Sequence, residues 1–422
     1  MGVSNENLVV NKERIWNRLE TLSQFGRNNN GGIDRNFGSI ADIKAREYLV
    51  SLLKSKIEAE VEVDPAANIW AKINTKSSLP LIAIGSHHDT VLNGGKYDGA
   101  LGVILAMEIL SVVKEQQVTL RHPLALVSFT AEEPNPFNLS TFGSRLATGK
   151  LKPDMLRDVR DTIHQRPLET ALTEAGGSMD KLTATKITGG SLSAFIECHI
   201  EQGRRLENND VSLAVVSNIT GIYRENILVC GEANHAGTTV MRDRHDALMA
   251  ASEFCLAFEK VLKDNNRDDV VGTIGHFEVF PNAVNIIPGK IALTMEIRTS
   301  EDILTKGVLK GLASAVADIE KNRGVHFARS VLLDQAGVAL DKVVMDKMAQ
   351  AMNNMSEPYL TLASMAGHDA THLASVTRSG MLFVRSMDGK SHCPEEYSTP
   401  EDIEKAGNAL LQTILLLDKE LD

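Results

Sequence analysis

Two short, unbroken apolar runs, residues 81–84 and 124–129, bracket an apolar helical stretch over 99–113. An apolar run without alternation reads as a strand covered on both faces. Strand, helix, strand in that order predicts an α/β domain built on a mixed, largely parallel sheet flanked by helices. The link between the first strand and the helix is Gly85-Ser86-His87-His88-Asp89-Thr90, then Asn93-Gly94-Gly95-Lys96-Tyr97-Asp98-Gly99. It is a glycine-rich loop carrying imidazole and carboxylate groups. Divalent metals take such ligands, held at strand ends by a rigid scaffold.

The chain has 422 residues, too many for one ordinary core, so two domains are expected. Ile15, Leu19, Leu22 and Phe25 have helical spacing, and Ser39-Ile40-Ala41-Asp42 opens a second helix with a capping-box-like start. Residues 61–74 look extended, and 194–200 read as another strand. Beyond about 213 the pattern changes. Strands are predicted over 223–231, 270–280, 290–298 and 326–333, with helices over 243–262 and 301–320. This describes a smaller α+β unit, 213–330, inserted into a larger domain of 1–212 and 331–422. The larger domain ends in a helix over 400–417.

Charge and composition exclude several function classes. The net charge is −11 and no long basic block occurs, which argues against nucleic acid. No apolar run approaches the roughly 18 residues that span a bilayer. Residues 1–14 are polar and lack a signal-peptide core, so a cytoplasmic protein is the expectation. Four cysteines, Cys198, Cys230, Cys255 and Cys393, are too few for a disulfide framework at this length. Cys198 and Cys393 each adjoin a histidine of interest. Adjacent side chains on extended backbone face opposite ways, so both read as free thiols.

Three further clusters carry chemistry. Glu132-Glu133 follows the apolar strand 124–129, at the end where open α/β sheets bind ligands. One of two such carboxylates can bind metal while the other acts as general base. Glu197-Cys198-His199-Ile200-Glu201-Gln202-Gly203 and Ser391-His392-Cys393-Pro394-Glu395 add the rest. Together His87, Asp98, Glu133, His199 and His392 offer mixed nitrogen and oxygen ligands, suited to two borderline divalent metals sharing one carboxylate.

In order along the chain stand GSHHDT, NGGKYDGALGV, AEE, FGSR, ECHIEQG, GEANHAGTT, PNAVNIIPG, EIRT, AGHDA and SHCPEE. On these motifs the chain resembles the amidase/hydantoinase–carbamoylase branch of the M20-type dinuclear metallohydrolases, over essentially its whole length. The resemblance implies a metallohydrolase catalytic domain with an inserted dimerisation domain, and a homodimer. His87, Asp98 and His199 would hold one metal. Asp98, Glu133 and His392 would hold the other. Glu132 would be the general base, and Asp89 would orient the His87 imidazole. Zn2+ or Mn2+ fits these ligands, as do Co2+ and Ni2+. His235 would donate to the substrate carbonyl oxygen. Asn285 and Arg298 would bind the substrate carboxylate, and Gln202 and Gly367 match substrate-contacting positions. His368 would either hydrogen-bond substrate or cap the helix after it. The remaining histidines, His88 among them, read as structural, because alternation turns His88 away from the metals.

His199 carries further meaning, since peptide-cleaving members of the wider group usually place an acidic residue there. The implied reaction is hydrolysis of N-carbamoyl-L-amino acids to amino acid, ammonia and carbon dioxide. Allantoate or ureidoglycolate hydrolysis is the alternative, ahead of N-acyl amino-acid deacylation or dipeptide cleavage. A non-catalytic scaffold would have no use for Glu132. Pro134-Asn135-Pro136-Phe137, Val240 and Met365 depart from the group's usual pattern and bear on substrate preference rather than on the reaction.

Overall fold

A computed structural model of the chain describes residues 8–421; part of the polar stretch read over 1–14 lies outside them. Helices α1 (Lys12–Leu22) and α2 (Ile40–Ser55) begin where side chains can cap them. Asn11 accepts from the Arg14 amide, and Ser39 from the Asp42 amide. Strands β1 (Glu60–Val63) and β2 (Ile69–Ile73) pair antiparallel. Next come β3 (Leu81–His87), α3 (Ala100–Glu115) and β4 (Leu124–Phe129), the strand–helix–strand unit expected from the apolar runs. Short helices α4 (Phe142–Ala147) and α5 (Leu168–Glu174) follow, then β5 (Leu192–Ile200), α6 (Arg205–Asn208) and β6 (Leu213–Ile219).

A second group of elements comes next: β7 (Gly221–Cys230), β8 (Asn234–His235), α7 (Ala247–Asp264), β9 (Val270–Phe280), β10 (Ile286–Ile287), β11 (Lys290–Thr299), α8 (Asp302–Arg323) and β12 (His326–Gln335). The chain then continues through β13 (Val338–Ala339), α9 (Lys342–Asn354), β14 (Tyr359–Ser364), α10 (Ala370–Leu373), β15 (Arg378–Val384) and α11 (Pro400–Glu420).

The large sheet has nine strands in the order β1-β2-β4-β3-β5-β15-β6-β13, with β14 also on β6. Its central four, β4-β3-β5-β15, run parallel. The flanking β2 and β6 join antiparallel. β4 is buried along its whole length, and β3 is buried from Ile82 on. A core of Ile82, Ile84, Leu126, Ile196 and the wholly apolar face of α3 (Leu101, Ile104, Leu105) closes one side. All four parallel strands therefore end on one edge, with His87 closing β3 and His199 one residue from the end of β5.

The small sheet runs β12-β7-β11-β9, antiparallel throughout. Period-two alternation sends Ile227, Val229, Ile291, Leu293 and Ile297 into a core with Phe254, Phe258, Val308 and Leu312 of α7 and α8. Arg224, Glu296 and Arg298 stand on the opposite face. The chain divides into 1–217, 339–362 and 368–422 on one side and 218–338 with 363–367 on the other. The breaks expected at 213 and 331 shift for a register reason. Residues 213–216 of β6 pair with β15 in the large sheet, and β12 stays paired with β7 through Gln335. No helix among the described residues is long and apolar enough to cross a membrane.

Candidate metal centre

At the edge where the parallel strands end, two groups of three side chains converge. Donor atoms of His87, Asp98 and His199 lie within 4.8 Å of one another, as do those of Asp98, Glu133 and His392. Asp98 belongs to both, one oxygen to each. Its Oδ1 is 2.8 Å from His199 Nε2 and 3.7 Å from His87 Nε2, and its Oδ2 is 3.0 Å from His392 Nε2. Glu133 Oε1 lies 3.2 Å from His392 Nε2. Glu132 Oε2 stands 3.8 Å from His87 Nε2.

The imidazoles are aimed by backbone carbonyls. His87 Nδ1 is 3.1 Å from the Asp89 carbonyl and His199 Nδ1 is 2.9 Å from the Ile200 carbonyl. Each Nδ1–H donates outward, which leaves the Nε2 lone pair facing the cluster. The job expected of the Asp89 carboxylate thus falls to the Asp89 main chain. The carboxylate itself, 3.7 Å from His87 Nδ1, instead accepts the amides of Glu132 and Glu133 at 3.3 and 3.1 Å. Left-handed backbone turns the ligand loops sharply: φ is 55° at Ala131, 58° at Gln202, 58° at His392 and 62° at Gly99. Such conformations are costly for non-glycine residues and concentrate at functional sites.

The charge balance tests whether metals fit. Asp89, Asp98, Glu132, Glu133, Glu197 and Asp369 are all buried. Among the described residues no lysine or arginine ion-pairs with any of them. Burial, and then the Glu133 carboxylate, raises Glu132 well above the ordinary carboxyl range. Hydrogen bonds to Asp98 and Glu133 push His392 up to about 11. Burial opposes a charge on His199, yet Asp98 outweighs it and lifts that group to about 9. Buried carboxylates in such excess require counter-charge. Divalent cations bound to the two groups would supply it and would leave the imidazoles neutral, as ligands must be.

The other expected site residues have definite places. The Gln202 side-chain nitrogen is 2.9 Å from Asp98 Oδ2 and 3.1 Å from Ser391 Oγ, so Gln202 touches the shared carboxylate. His368 is buried, its ring edge-on to His199 with centroids 4.5 Å apart. In the second unit, His235 is exposed, and its Nδ1 accepts the amides of Gly237 at 3.0 Å and Thr238 at 3.2 Å. Its ring proton therefore sits on Nε2. The Asn285 side chain is exposed, while its carbonyl takes the Ala236 amide at 3.0 Å. Arg298 donates from Nε to Glu296 at 2.8 Å and from Nη1 to the Met365 carbonyl at 2.9 Å. Gly367 is exposed, with open space where a side chain would start. All four cysteines are free.

Sequence reasoning assigned no role to Glu197 and Arg35. Glu197 is buried two residues before His199, accepting Ser86 Oγ at 2.7 Å and the Ala370 amide at 2.8 Å. Period two places it on the His199 face of β5, a signal that was readable. Arg35, fully buried, donates to the His88 carbonyl at 2.7 Å and to carbonyls of Leu22 and Phe25. No local pattern announces it.

Residues 83–416 match the model of peptidase family M20/M25/M40. An N-carbamoyl-L-amino acid amidohydrolase from Geobacillus stearothermophilus is 33% identical, over 96% of this chain and 98% of that one. A ureidoglycolate hydrolase from Arabidopsis thaliana is 34% identical, over 97% of this chain and 87% of that one. The crystal structure of a hydantoinase/carbamoylase family amidase from Burkholderia multivorans superposes with a TM-score of 0.89 at 29% identity, covering 97% of this chain and 98% of that chain.

Proposed function

The chain belongs to peptidase family M20/M25/M40, in its hydantoinase/carbamoylase amidase branch, and on that footing we propose that it hydrolyses the ureido C–N bond of N-carbamoyl-L-amino acids to amino acid, ammonia and carbon dioxide. One observation carries the reading: two three-donor groups share the Asp98 carboxylate, with the Glu132 carboxyl beside them. His87, Asp98, Glu133, His199 and His392 would hold two divalent cations, Zn2+ or Mn2+ with Co2+ and Ni2+ also suited. When bound these supply Lewis-acid polarisation of the ureido carbonyl and an acidified water.

The chain's own residues do the remainder. Glu132, raised by burial, takes the proton of the attacking water and returns it to the departing amine. His235 donates from Nε2 to the oxyanion, the tautomer that its two amide contacts at Nδ1 favour. Arg298 pairs with the substrate carboxylate, exchanging its Glu296 contact for it, and Asn285 adds a donor. Gln202, Gly367 and His368 complete the substrate contacts. His199 supports ureido over peptide chemistry.

The test is ammonia release from a panel of N-carbamoyl-L-amino acids by Mn2+- or Zn2+-loaded protein. No turnover across the panel removes this substrate class. The Arabidopsis relative supports the ureidoglycolate half of a second reading, ureidoglycolate or allantoate, which a competition assay separates by preference. We extend the proposal to a homodimer joined through the second unit, whose edge strands expose Val271, Phe277, Phe280, Val331 and Leu332. A monomer mass by light scattering contradicts it. The free thiols fit a cytoplasmic setting.

A further inference from the structure

Glu396 is neither one of the five donors nor among the substrate contacts, yet it joins both halves of the metal centre. Its side chain is buried, and no lysine or arginine among the described residues ion-pairs with it. Oε1 accepts the amides of Tyr97 at 2.8 Å and Asp98 at 3.0 Å. Oε2 accepts the Ser391 hydroxyl at 3.0 Å. Ser391 precedes His392, and its Oγ also lies 3.2 Å from Asp98 Oδ2. One carboxylate thus grips the main chain of the shared ligand and, through Ser391, the loop that carries His392. The Glu396 amide closes a turn onto the Cys393 carbonyl at 3.2 Å, directly after the left-handed His392. Gly95 makes room for the arrangement, since a Cβ there would lie 2.2 Å from Glu396 Oε1.

We propose that Glu396 is a positioning residue that clamps the Asp98 main chain to the His392 loop, so that the shared carboxylate presents one oxygen to each donor group. The inference rests on the metal-centre reading above. It concerns the place of the carboxyl oxygens, not their charge, and two substitutions separate these. Glu396→Gln removes the charge but keeps Oε1 for the two amides, and its NH2 can donate to Ser391 Oγ, whose own proton is then free for Asp98 Oδ2. Glu396→Asp keeps the charge and falls one methylene short.

Metal-free protein is titrated with Co2+, whose visible absorption reports ligand geometry at each equivalent, and far-UV circular dichroism verifies the fold. Wild type and Glu396→Gln should both take two equivalents, with affinities within about three-fold and the same spectrum. Glu396→Asp should bind its weaker equivalent about ten-fold or more weakly, the scale set by outer-shell partners of ligands. Any result in which Glu396→Gln binds no more tightly than Glu396→Asp overturns the proposal. Wild-type protein that takes fewer than two equivalents would overturn the metal-centre reading, and this inference with it.

Discussion

Glu132 and Glu133 are neighbours in the chain that face different partners. Left-handed Ala131 turns the backbone, and the Asp89 carboxylate holds both amides. Glu133 then reaches His392, while Glu132 stands against His87. Glu132→Gln removes a base without touching a donor. It should keep two metal equivalents and lose about 10²- to 10⁴-fold in kcat; unchanged turnover would take Glu132 out of its role. Gly99 makes the complementary case. Its φ is 62°, and a Cβ there would lie 2.2–2.4 Å from the His87 ring. Gly99→Ala should swing His87 out of the cluster, so metal content after dialysis should drop by about one equivalent. Two equivalents held at full affinity would contradict this. Residue types and local spacing pointed to these positions. What they could not supply was the choice between the Asp89 carboxylate and its carbonyl, which depends on where β4 lies beside β3.

Behind the centre, α2, β3 and β4 are tied by buried polar groups. Asp42 Oδ1 accepts Arg46 Nε at 2.9 Å and lies 2.9 Å from His88 Nε2, while His88 Nδ1 lies 2.7 Å from Ser128 Oγ. Burial would raise Asp42, but Arg46 and His88 outweigh it and bring the carboxyl down to about 2 from 3.8. Burial lowers His88 to about 4 from 6.5. Both groups are depressed in the folded state, so both stabilise above their unfolded values and lose that stabilisation as pH falls. For His88 the loss runs from about 6.5 to 4, and for Asp42 from about 3.8 to 2. At about 1.4 kcal/mol per pKa unit, Asp42 contributes on the order of 2 kcal/mol. Asp42→Asn should therefore flatten the fall of the urea midpoint below pH 4, even though it is less stable than wild type at pH 7. An unchanged low-pH slope counts against it. At this scale the long periodic segments were legible and the short ones were not. β3, α3, β4, α7 and α8 announce themselves by pattern. Helices α4 and α5 are one or two turns long and exist because Phe37, Phe137, Phe142, Leu168 and Leu172 pack together.

Across the whole molecule, the balance of buried charge dominates. Asp89, Asp98, Glu132, Glu133, Glu197 and Asp369 are buried near the strand ends, and among the described residues no lysine or arginine ion-pairs with them, so cations that bind there would stabilise the folded chain over the unfolded one. At a free metal concentration of 100 Kd the gain is about 2.7 kcal/mol per site. Removing metal with a chelator should lower Tm measurably, and re-adding Mn2+ or Zn2+ should restore it. A Tm indifferent to chelation would show that the acidic cluster needs no ion.

The chain's apolar periods, its capping residues and the kinds of ligand it carries are local properties, and they were enough to point to an α/β domain, a second unit within the chain and five candidate metal donors. Contacts between distant segments are a different matter. Strand register decides that His87, Glu133, His199 and His392 meet on one edge, and that Asp98 turns a separate oxygen to each group. It also puts Glu396 against Asp98, two residues 298 positions apart. Such pairings follow from how whole elements pack against one another, and no stretch of sequence short enough to show a pattern contains both partners.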